Sequence, residues 1–342
     1  MSDFAQRLRQ DPSLYPHSYE PISDALLMAE MSPEAFAAAS FLDQRIMTPQ
    51  LQARWAAGGA IDTTMDAVTR SDVAYIFHIG HVGSTLLARM MGAHAGVHAL
   101  REPAPLRTLA QLSADIDTRE SLVAPATFDR RLTTLVKLWA RTYAPTQRTL
   151  VKATSFASEL ASRLLAQPQA GASLAMYVKP EIYIASIMAG DASRQELQAL
   201  VQGRLRRLHR RLEGHGWLLH ALSAGERAAV SWASEMTTLA AVEPGRLTWI
   251  DFEALLADPA AGLATAFAAT GFEVGAGEIE TIATGPLLTR YSKGPEHAYT
   301  PELRGQVLDR AREEHAAEIA RGMAWLEAAG RDHPVIAAVL AR

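Results

Sequence analysis

The sequence predicts an α/β fold of the P-loop NTPase-like type, a three-layer sandwich with a parallel sheet of about five strands and extra helices at both termini. The first observation is the apolar run 73–79, whose two alternating sets of side chains are both largely apolar, as in a strand covered on both faces. This run stops at a loop bounded by Gly80 and Gly83 and is followed by an amphipathic helix from Ser84. Further short apolar runs predict the remaining strands at 97–100, 149–152, 173–178 and 246–251.

Two regions can be distinguished along the 342 residues. Residues 1–70 are predicted to form a helical N-terminal extension, because their prolines mark helix starts and breaks. The clearest start is Ser32-Pro33, with serine as N-cap and proline in the first helical position. Residues 71–342 are predicted to form the α/β domain as one compact unit, which ends in a long helix over about 301–329.

Composition narrows the function classes. The formal net charge of −4 argues against a general nucleic-acid binder, which usually carries a basic excess. The chain has no cysteine, so neither a disulfide framework nor a thiolate metal site is expected. No apolar run approaches about 20 residues and no secretory signal is found, so we expect no membrane span and a cytoplasmic protein.

The loop after the first predicted strand of the sheet suits an anion. A helix start leaves N–H groups without intrahelical partners, and glycines let the backbone come close to a ligand. The loop is not a Walker A sequence, because Ser84 stands where that motif has its lysine. A standard kinase or ATPase is therefore disfavoured.

Charged residues follow several of the predicted strands. The chain has only four lysines among its 33 basic residues, namely Lys137, Lys152, Lys179 and Lys293. In an arginine-rich chain, a retained lysine favours a position where a compact ammonium is needed. Lys152 lies at the carboxyl end of one predicted strand and Lys179 follows another, at the edge where open α/β sheets bind ligands. Glu102 follows another, and Pro103 disfavours helical geometry for it. We therefore expect a site at this edge.

One stretch carries a family resemblance. From Gly80-His81-Val82-Gly83-Ser84-Thr85 through Ala93-His94 to Glu102, the sequence resembles sulfotransferases that use 3′-phosphoadenosine 5′-phosphosulfate (PAPS). The resemblance is nearest to the tyrosylprotein and bacterial sulfotransferase branch, in which such a loop, an Ala-His pair and a catalytic glutamate follow without a gap. His81 departs from the pattern, since many members have Lys or Arg there. Phe252-Glu253-Ala254-Leu255 resembles a later family motif and supports the fold.

The resemblance implies transfer of SO₃ from PAPS to a hydroxyl or amine of an acceptor, with release of adenosine 3′,5′-bisphosphate (PAP) and no need for a metal. It implies that a glutamate acts as general base and that two lysines neutralise the transferring group. The residues that it assigns to catalysis are Glu102, Lys152 and Lys293. The residues that it assigns to PAPS binding are His81, Val82, Gly83, Ser84, Thr85, Lys179, Ser186 and Ser292. Lys179 stands in place of the family's arginine.

Other functions remain open on the sequence alone. A nucleotide-dependent phosphotransferase on the same fold would need Mg²⁺ and would lack the Walker lysine. A catalytically silent nucleotide-binding or scaffold protein is favoured by His81 and by the Lys179–Ser186 spacing, which is one residue shorter than usual in the family. His78 and His81 could suggest a metal pair, but they straddle a strand end and lack a carboxylate at helical spacing.

A basic run in a predicted helix, Arg204 to Arg211, is expected to be a solvated face, with electrostatic steering of an anionic ligand as the alternative. The identity of the acceptor and the existence of a homodimer are not determined by the sequence.

Overall fold

The computed structural model describes residues 3–212, 216–289 and 300–342. The strands are β1 (Leu14–Glu20), β2 (Ala25–Glu30), β3 (Ala53–Ala57), β4 (Ala74–His78), β5 (Val97–Arg101), β6 (Arg148–Lys152), β7 (Ser173–Tyr177) and β8 (Leu247–Asp251).

The α-helices are α1 (Asp3–Gln10), α2 (Pro33–Ala38), α3 (Gly58–Met65), α4 (Ser84–Met91), α5 (Pro105–Ser113), α6 (Pro125–Trp139), α7 (Ala161–Leu165), α8 (Pro180–Met188), α9 (Asp191–Leu212), α10 (Ala224–Ala240), α11 (Phe252–Ala257), α12 (Pro259–Thr270), α13 (Ala276–Ala283), α14 (Pro301–Glu314), α15 (Ala316–Asp332) and α16 (Pro334–Leu340). Short 3₁₀ helices lie at Gln44–Ile46, Ser155–Leu160, Leu219–Ala221 and Pro286–Thr289.

The main sheet confirms the predicted fold class. It has five parallel strands in the order β5-β6-β4-β7-β8, so the strand before the glycine loop is the central one. Every residue of β4 and of β7 is buried. Because successive side chains of a strand point to opposite faces, helices and loops must cover both faces of this sheet.

The helical character predicted for residues 1–70 is wrong. This region contains a three-stranded antiparallel sheet in the order β1-β2-β3, together with short helices. The predicted helix start at Ser32 is correct, since its side chain accepts a hydrogen bond from the Ala35 N–H and Pro33 opens α2. In Leu14–Glu20, Pro16 and His17 interrupt the strand pattern, and the β1–β2 pairing shifts register between Pro16 and Ser18. Such a bulge hides a strand from period-two patterns.

The C-terminal region is helical, as the sequence predicts, but it is not one long helix. The chain leaves helical geometry at His315, with φ −122° and ψ 23°, so that α14 and α15 are separate helices. Helix α15 packs closely against α10, where a Cβ on Gly225 would lie 1.8 Å from the Glu318 carbonyl oxygen. Among the described residues, no helix is both long and apolar enough to cross a membrane.

The parallel arrangement fixes the location of the site. The carboxyl ends of β4, β5, β6 and β7 meet at one edge of the sheet, and the glycine loop, Glu102, Lys152 and Lys179 leave the sheet there. The backbone joins these ends directly, because the Glu102 N–H donates to the Lys152 carbonyl at 2.7 Å and the Ala153 N–H donates to the Ile76 carbonyl at 3.0 Å.

Candidate active site

The loop between β4 and α4 has the backbone of an anion-binding turn. Gly80, His81 and Gly83 have positive φ values of 90°, 55° and 64°. Gly83 is the N-cap of α4, and no side chain caps this helix, so its first N–H groups remain available to an anion. A Cβ on Gly83 would lie 2.0 Å from the ring of Phe252. The loop therefore requires glycine at this position for both conformation and space.

Two hydroxyl side chains begin α4. Ser84 and Thr85 are 5% and 2% exposed. Thr85 Oγ1 has no hydrogen-bond partner within the described ranges, and a buried hydroxyl without a partner is costly unless a ligand supplies one. An uncapped helix start with an unpartnered hydroxyl beside a glycine turn fits the phosphosulfate end of PAPS.

His78 supports the loop through its backbone. Its Nδ1 accepts a hydrogen bond from the Gly80 N–H at 3.1 Å, and its Nε2 lies 2.8 Å from the Ala153 carbonyl oxygen. Both ring nitrogens are therefore engaged, and a hydrogen bond accepted by Nδ1 places the ring proton on Nε2. His81 lies across the cleft from α9, with Nε2 at 3.6 Å from a carboxylate oxygen of Glu196. No group of three or more metal-ligating side chains occurs among the described residues.

Glu102 and Lys152 form a buried ion pair at the end of two neighbouring strands. The Lys152 ammonium donates to Glu102 Oε1, and the two side chains are 1% and 9% exposed. Glu102 has a φ of 54°, which is uncommon for a residue with a side chain. The strained backbone turns the carboxylate away from the direction of β5 and into the cleft, and such strain is often found at functional sites.

The environment of Glu102 keeps its carboxylate charged. Burial alone would raise its pKa. The positive charge of Lys152, with further contributions from His78, from the Lys152 hydrogen bond and from Arg107, outweighs burial and lowers the pKa below the ordinary value. Arg107 Nη2 lies 3.4 Å from Glu102 Oε2. The carboxylate therefore remains an anion over the neutral pH range, which is the protonation state that a general base needs.

The loop and the ion pair line one cleft of about 510 Å³. This volume lies in the range of small-ligand sites. Among the residues predicted for the site, those that line it are His81, Val82, Gly83, Ser84, Thr85, Glu102 and Lys152. The central part of the predicted site is therefore brought together in space.

Two other predicted residues lie elsewhere. Lys179 is exposed at the N-terminus of α8, and Ser186 lies seven residues later, on the same side of that helix. Neither lines the cleft, and the Ser186 hydroxyl donates to the Ile182 carbonyl oxygen at 2.8 Å. Their role in binding a 3′-phosphate stays a prediction. Ser292 and Lys293 lie outside the described residues.

Several residues of the cleft were not predicted from the sequence. Phe41, Asp43 and Arg45, from the N-terminal region, form part of its wall, as do Arg107 and Phe156. The first three carry no local signal, because they meet Glu102 only through the tertiary fold. The Leu42 N–H donates to the Arg101 carbonyl at 2.7 Å, and the Ala104 N–H donates to the Leu42 carbonyl at 3.2 Å, which places this segment over Glu102.

The basic run of α9 is partly buried, which corrects the expectation of a solvated face. Arg204 and Arg207 each lie 2.7 Å from the same oxygen of the fully buried Glu235. Arg204 also donates to Ser155 Oγ at 3.1 Å, and the Ser158 hydroxyl donates to Glu235. This network holds the 3₁₀ helix Ser155–Leu160 against α9 and α10. Because Ser155 also lines the cleft, the network helps to position the cleft wall.

Solved sulfotransferase structures match the chain. The sulfotransferase domain from the curacin biosynthetic pathway aligns with 71% of this chain and 96% of its own, at 15% identity and a TM-score of 0.41. A sulfotransferase from Alicyclobacillus acidocaldarius aligns with 76% of this chain and 96% of its own, at 18% identity and a TM-score of 0.37. A mouse sulfotransferase complexed with PAP aligns with 79% and 92%, at 13% identity and a TM-score of 0.37. At these identities the likeness concerns the fold alone. No protein-family model and no curated protein matches the chain.

Proposed function

We propose that this protein is a sulfotransferase that moves a sulfuryl group from PAPS to a hydroxyl or amine of an acceptor, with Glu102 as general base. The observation that carries the proposal is the buried Glu102–Lys152 pair in the same cleft as the glycine loop. A carboxylate held as an anion beside a cation and an anion-binding helix start is the set of groups that proton removal and sulfuryl transfer require.

Each group has a separate role in this proposal. PAPS supplies the sulfuryl group. A bond forms from its sulfur to the acceptor oxygen or nitrogen as the S–O bond to the 5′-phosphate breaks, and PAP is released. The N–H groups of Val82 to Thr85 stabilise the negative charge on the leaving phosphate, because oriented donors at a helix start need no reorganisation. Lys152 and Lys293 add positive charge, and Glu102 takes the proton of the acceptor hydroxyl.

The remaining contacts to PAPS are assigned by the sequence resemblance. Lys179 and Ser186 bind the 3′-phosphate, which distinguishes PAPS from ATP, and Ser292 donates a hydrogen bond to the transferring group. Ser186 would have to exchange its bond to the Ile182 carbonyl for one to the phosphate. His81 lies over the phosphosulfate, opposite Glu196.

The direct test is turnover of radiolabelled PAPS with a panel of phenols, alcohols and amines, comparing the native protein with Glu102→Gln. We expect the variant to lose at least about 100-fold in kcat, the range for loss of a general base, while PAP affinity changes little. Glu196→Gln is a matched control, because Glu196 lines the same cleft at its loop side. Equal turnover by the native protein and Glu102→Gln would contradict the proposal.

Two other functions are outcomes of the same set of measurements. Phosphate transfer that depends on ATP and Mg²⁺ would identify a phosphotransferase. PAP binding without turnover of PAPS with any acceptor of the panel would identify a silent nucleotide-binding protein.

A further inference from the structure

The part of the cleft beyond the glycine loop differs in chemistry from the part that suits phosphosulfate. It is walled by two aromatic rings, Phe41 and Phe156, and by charged residues that approach from the N-terminal region and from α5. Phe41 is buried, and the Lys152 ammonium lies 5.6 Å from its ring centroid. Whatever occupies this space therefore lies against aromatic surface and within reach of the proposed catalytic pair.

Arg45 and Arg107, two arginines of this space, differ in their contacts with carboxylates. Arg45 is compensated, since its Nε donates to Asp43 at 2.8 Å and its guanidinium lies 3.5 Å from the Phe41 centroid. Arg107 has no such close partner among the described residues, although the Asp43 carboxylate interacts with it beyond ion-pair distance. Its one ion pair within the described part of the chain is the 3.4 Å contact with Glu102, a carboxylate that Lys152 already neutralises.

The position of Arg107 is unfavourable for the helix that carries it. It stands at the third residue of α5, in the first turn, where the helix macrodipole disfavours a positive charge. Its side chain remains 44% exposed toward the cleft, and its Cζ lies 5.6 Å from the Phe156 centroid. A half-exposed guanidinium whose nearest carboxylates, Glu102 and Asp43, are each paired with another cation, and which lies beside an aromatic ring, is suited to a flat ligand that carries a negative charge.

We propose that Arg107 selects the acceptor, binding a carboxylate of a small aromatic hydroxy acid while Glu102 receives the proton of its hydroxyl. The ring of the acceptor then packs against Phe156, and the 3.4 Å separation of Arg107 and Glu102 requires hydroxyl and carboxylate to be only a few atoms apart. This inference rests on the proposed function, because it assigns the second substrate of the same cleft.

The test compares two probes of equal shape, 3-hydroxybenzoate and 3-hydroxybenzamide, titrated by calorimetry into the full-length protein saturated with PAP. We expect the carboxylate probe to bind at least about tenfold more tightly, because a charge-assisted pair is stronger than a neutral one. Arg107→Gln should reduce that ratio to near one, and Arg107→Lys should keep part of it. Arg210→Gln, a control on a guanidinium of similar exposure that pairs with Asp115 and does not line the cleft, should keep the full ratio.

The outcomes separate the two proposals. Failure of PAP itself to bind would contradict the proposed function and the inference with it. With PAP bound, the inference alone is overturned if neither probe binds, if both bind equally, if Arg107→Gln keeps the preference, or if it weakens both probes by the same factor. The last result would mean that Arg107 has only a structural role.

Discussion

At the scale of single residues, two opposite charges lie together at the ends of neighbouring strands. Lys152 and Glu102 are both withdrawn from water, so each depends on the other to stay charged. The register of β5 and β6 explains this contact. Arg101 is paired with Lys152, and the next residue, Glu102, has a positive φ that turns the chain at the strand end. Breaking the pair is therefore expected to lower stability, and in the proposed function it would also lower activity.

The first prediction concerns the free energy of unfolding. Lys152→Met should lower it by about 3–5 kcal/mol, because it leaves the Glu102 carboxylate buried without its partner. The double variant Lys152→Met/Glu102→Gln should recover a large part of the loss, since the buried charge is then removed. Urea unfolding of the native protein, both single variants and the double variant measures this coupling. Additive effects would mean that the two side chains act independently.

The second prediction concerns pH. The pKa of Glu102 is lower in the folded protein than its ordinary value of 4.5. The stabilisation from its charged form is therefore fully present above about pH 4.5 and is lost as pH falls through the folded pKa. Urea unfolding between pH 6 and 3 should show a smaller loss of stability in Glu102→Gln than in the native protein. An identical slope in both proteins would contradict the assignment.

The sequence predicts which residues lie close together when those residues stand at the ends of parallel strands. Lys152 ends one parallel strand and Glu102 follows its neighbour, and parallel strands end at one edge, so their proximity could be foreseen. Arg107 could have been noticed as a basic residue in a first helical turn. Asp43 and Arg45 could not, because only the tertiary fold brings the N-terminal region to the cleft.

At the scale of secondary-structure elements, the glycine loop is held from below by the 3₁₀ helix Ser155–Leu160. A Cβ on Gly80 would lie 3.5 Å from Ser155 Cβ, and Ser155 in turn accepts from Arg204 on α9. Glu235 on α10 closes this arrangement by pairing with Arg204 and Arg207. Helices α9 and α10 thus hold Ser155, which lines the cleft, in place through the buried Glu235 carboxylate.

The third prediction tests this carboxylate. Glu235→Gln should lower the free energy of unfolding by about 3–5 kcal/mol, because two buried guanidinium groups lose their counter-charge. Glu159→Gln is the control, since Glu159 contacts Arg207 at 3.3 Å from a position that is 24% exposed, and its loss should be below about 1 kcal/mol. Chemical unfolding followed by circular dichroism measures both. Equal effects of the two variants would show that burial of Glu235 is not the cause.

Elements were predictable to different extents. The five strands of the main sheet are short segments rich in apolar residues, which the sequence reveals, although their order depends on contacts distant in the chain. The strands of the N-terminal sheet were missed, because β1 contains a proline and a register shift and β3 is largely exposed. The basic face of α9 was misjudged, because its counter-charge lies on another helix.

At the scale of the whole molecule, buried arginines join the N-terminal region to the main domain. Arg131 on α6 binds Asp24 at 2.8 Å and Asp62 at 2.8 Å. Arg141 donates to the backbone carbonyls of residues 7, 8, 11 and 14, and Arg101 donates to those of residues 36, 37 and 39. From these contacts we expect the N-terminal region and the main domain to unfold together as one cooperative unit.

The fourth prediction follows from these contacts. Native-state hydrogen exchange should give the amides of β2 an opening free energy within about 1 kcal/mol of those of β4, because both sheets open in one cooperative step. The measurement uses the full-length protein without ligand. Exchange from β2 at an opening free energy several kcal/mol below that of β4 would show that the N-terminal region unfolds by itself.

The most direct test of the central claim is a calorimetric titration with PAP, compared with ADP and with ATP plus Mg²⁺. We expect PAP to bind without metal at least about tenfold more tightly than ADP, which lacks the 3′-phosphate. Gly83→Ala should abolish this binding, because a Cβ there meets the Phe252 ring and Gly83 has a positive φ. Gly203→Ala, where a Cβ meets nothing within 4 Å, should leave it unchanged. Preferential binding of ATP with Mg²⁺, or no binding of PAP, would contradict the account.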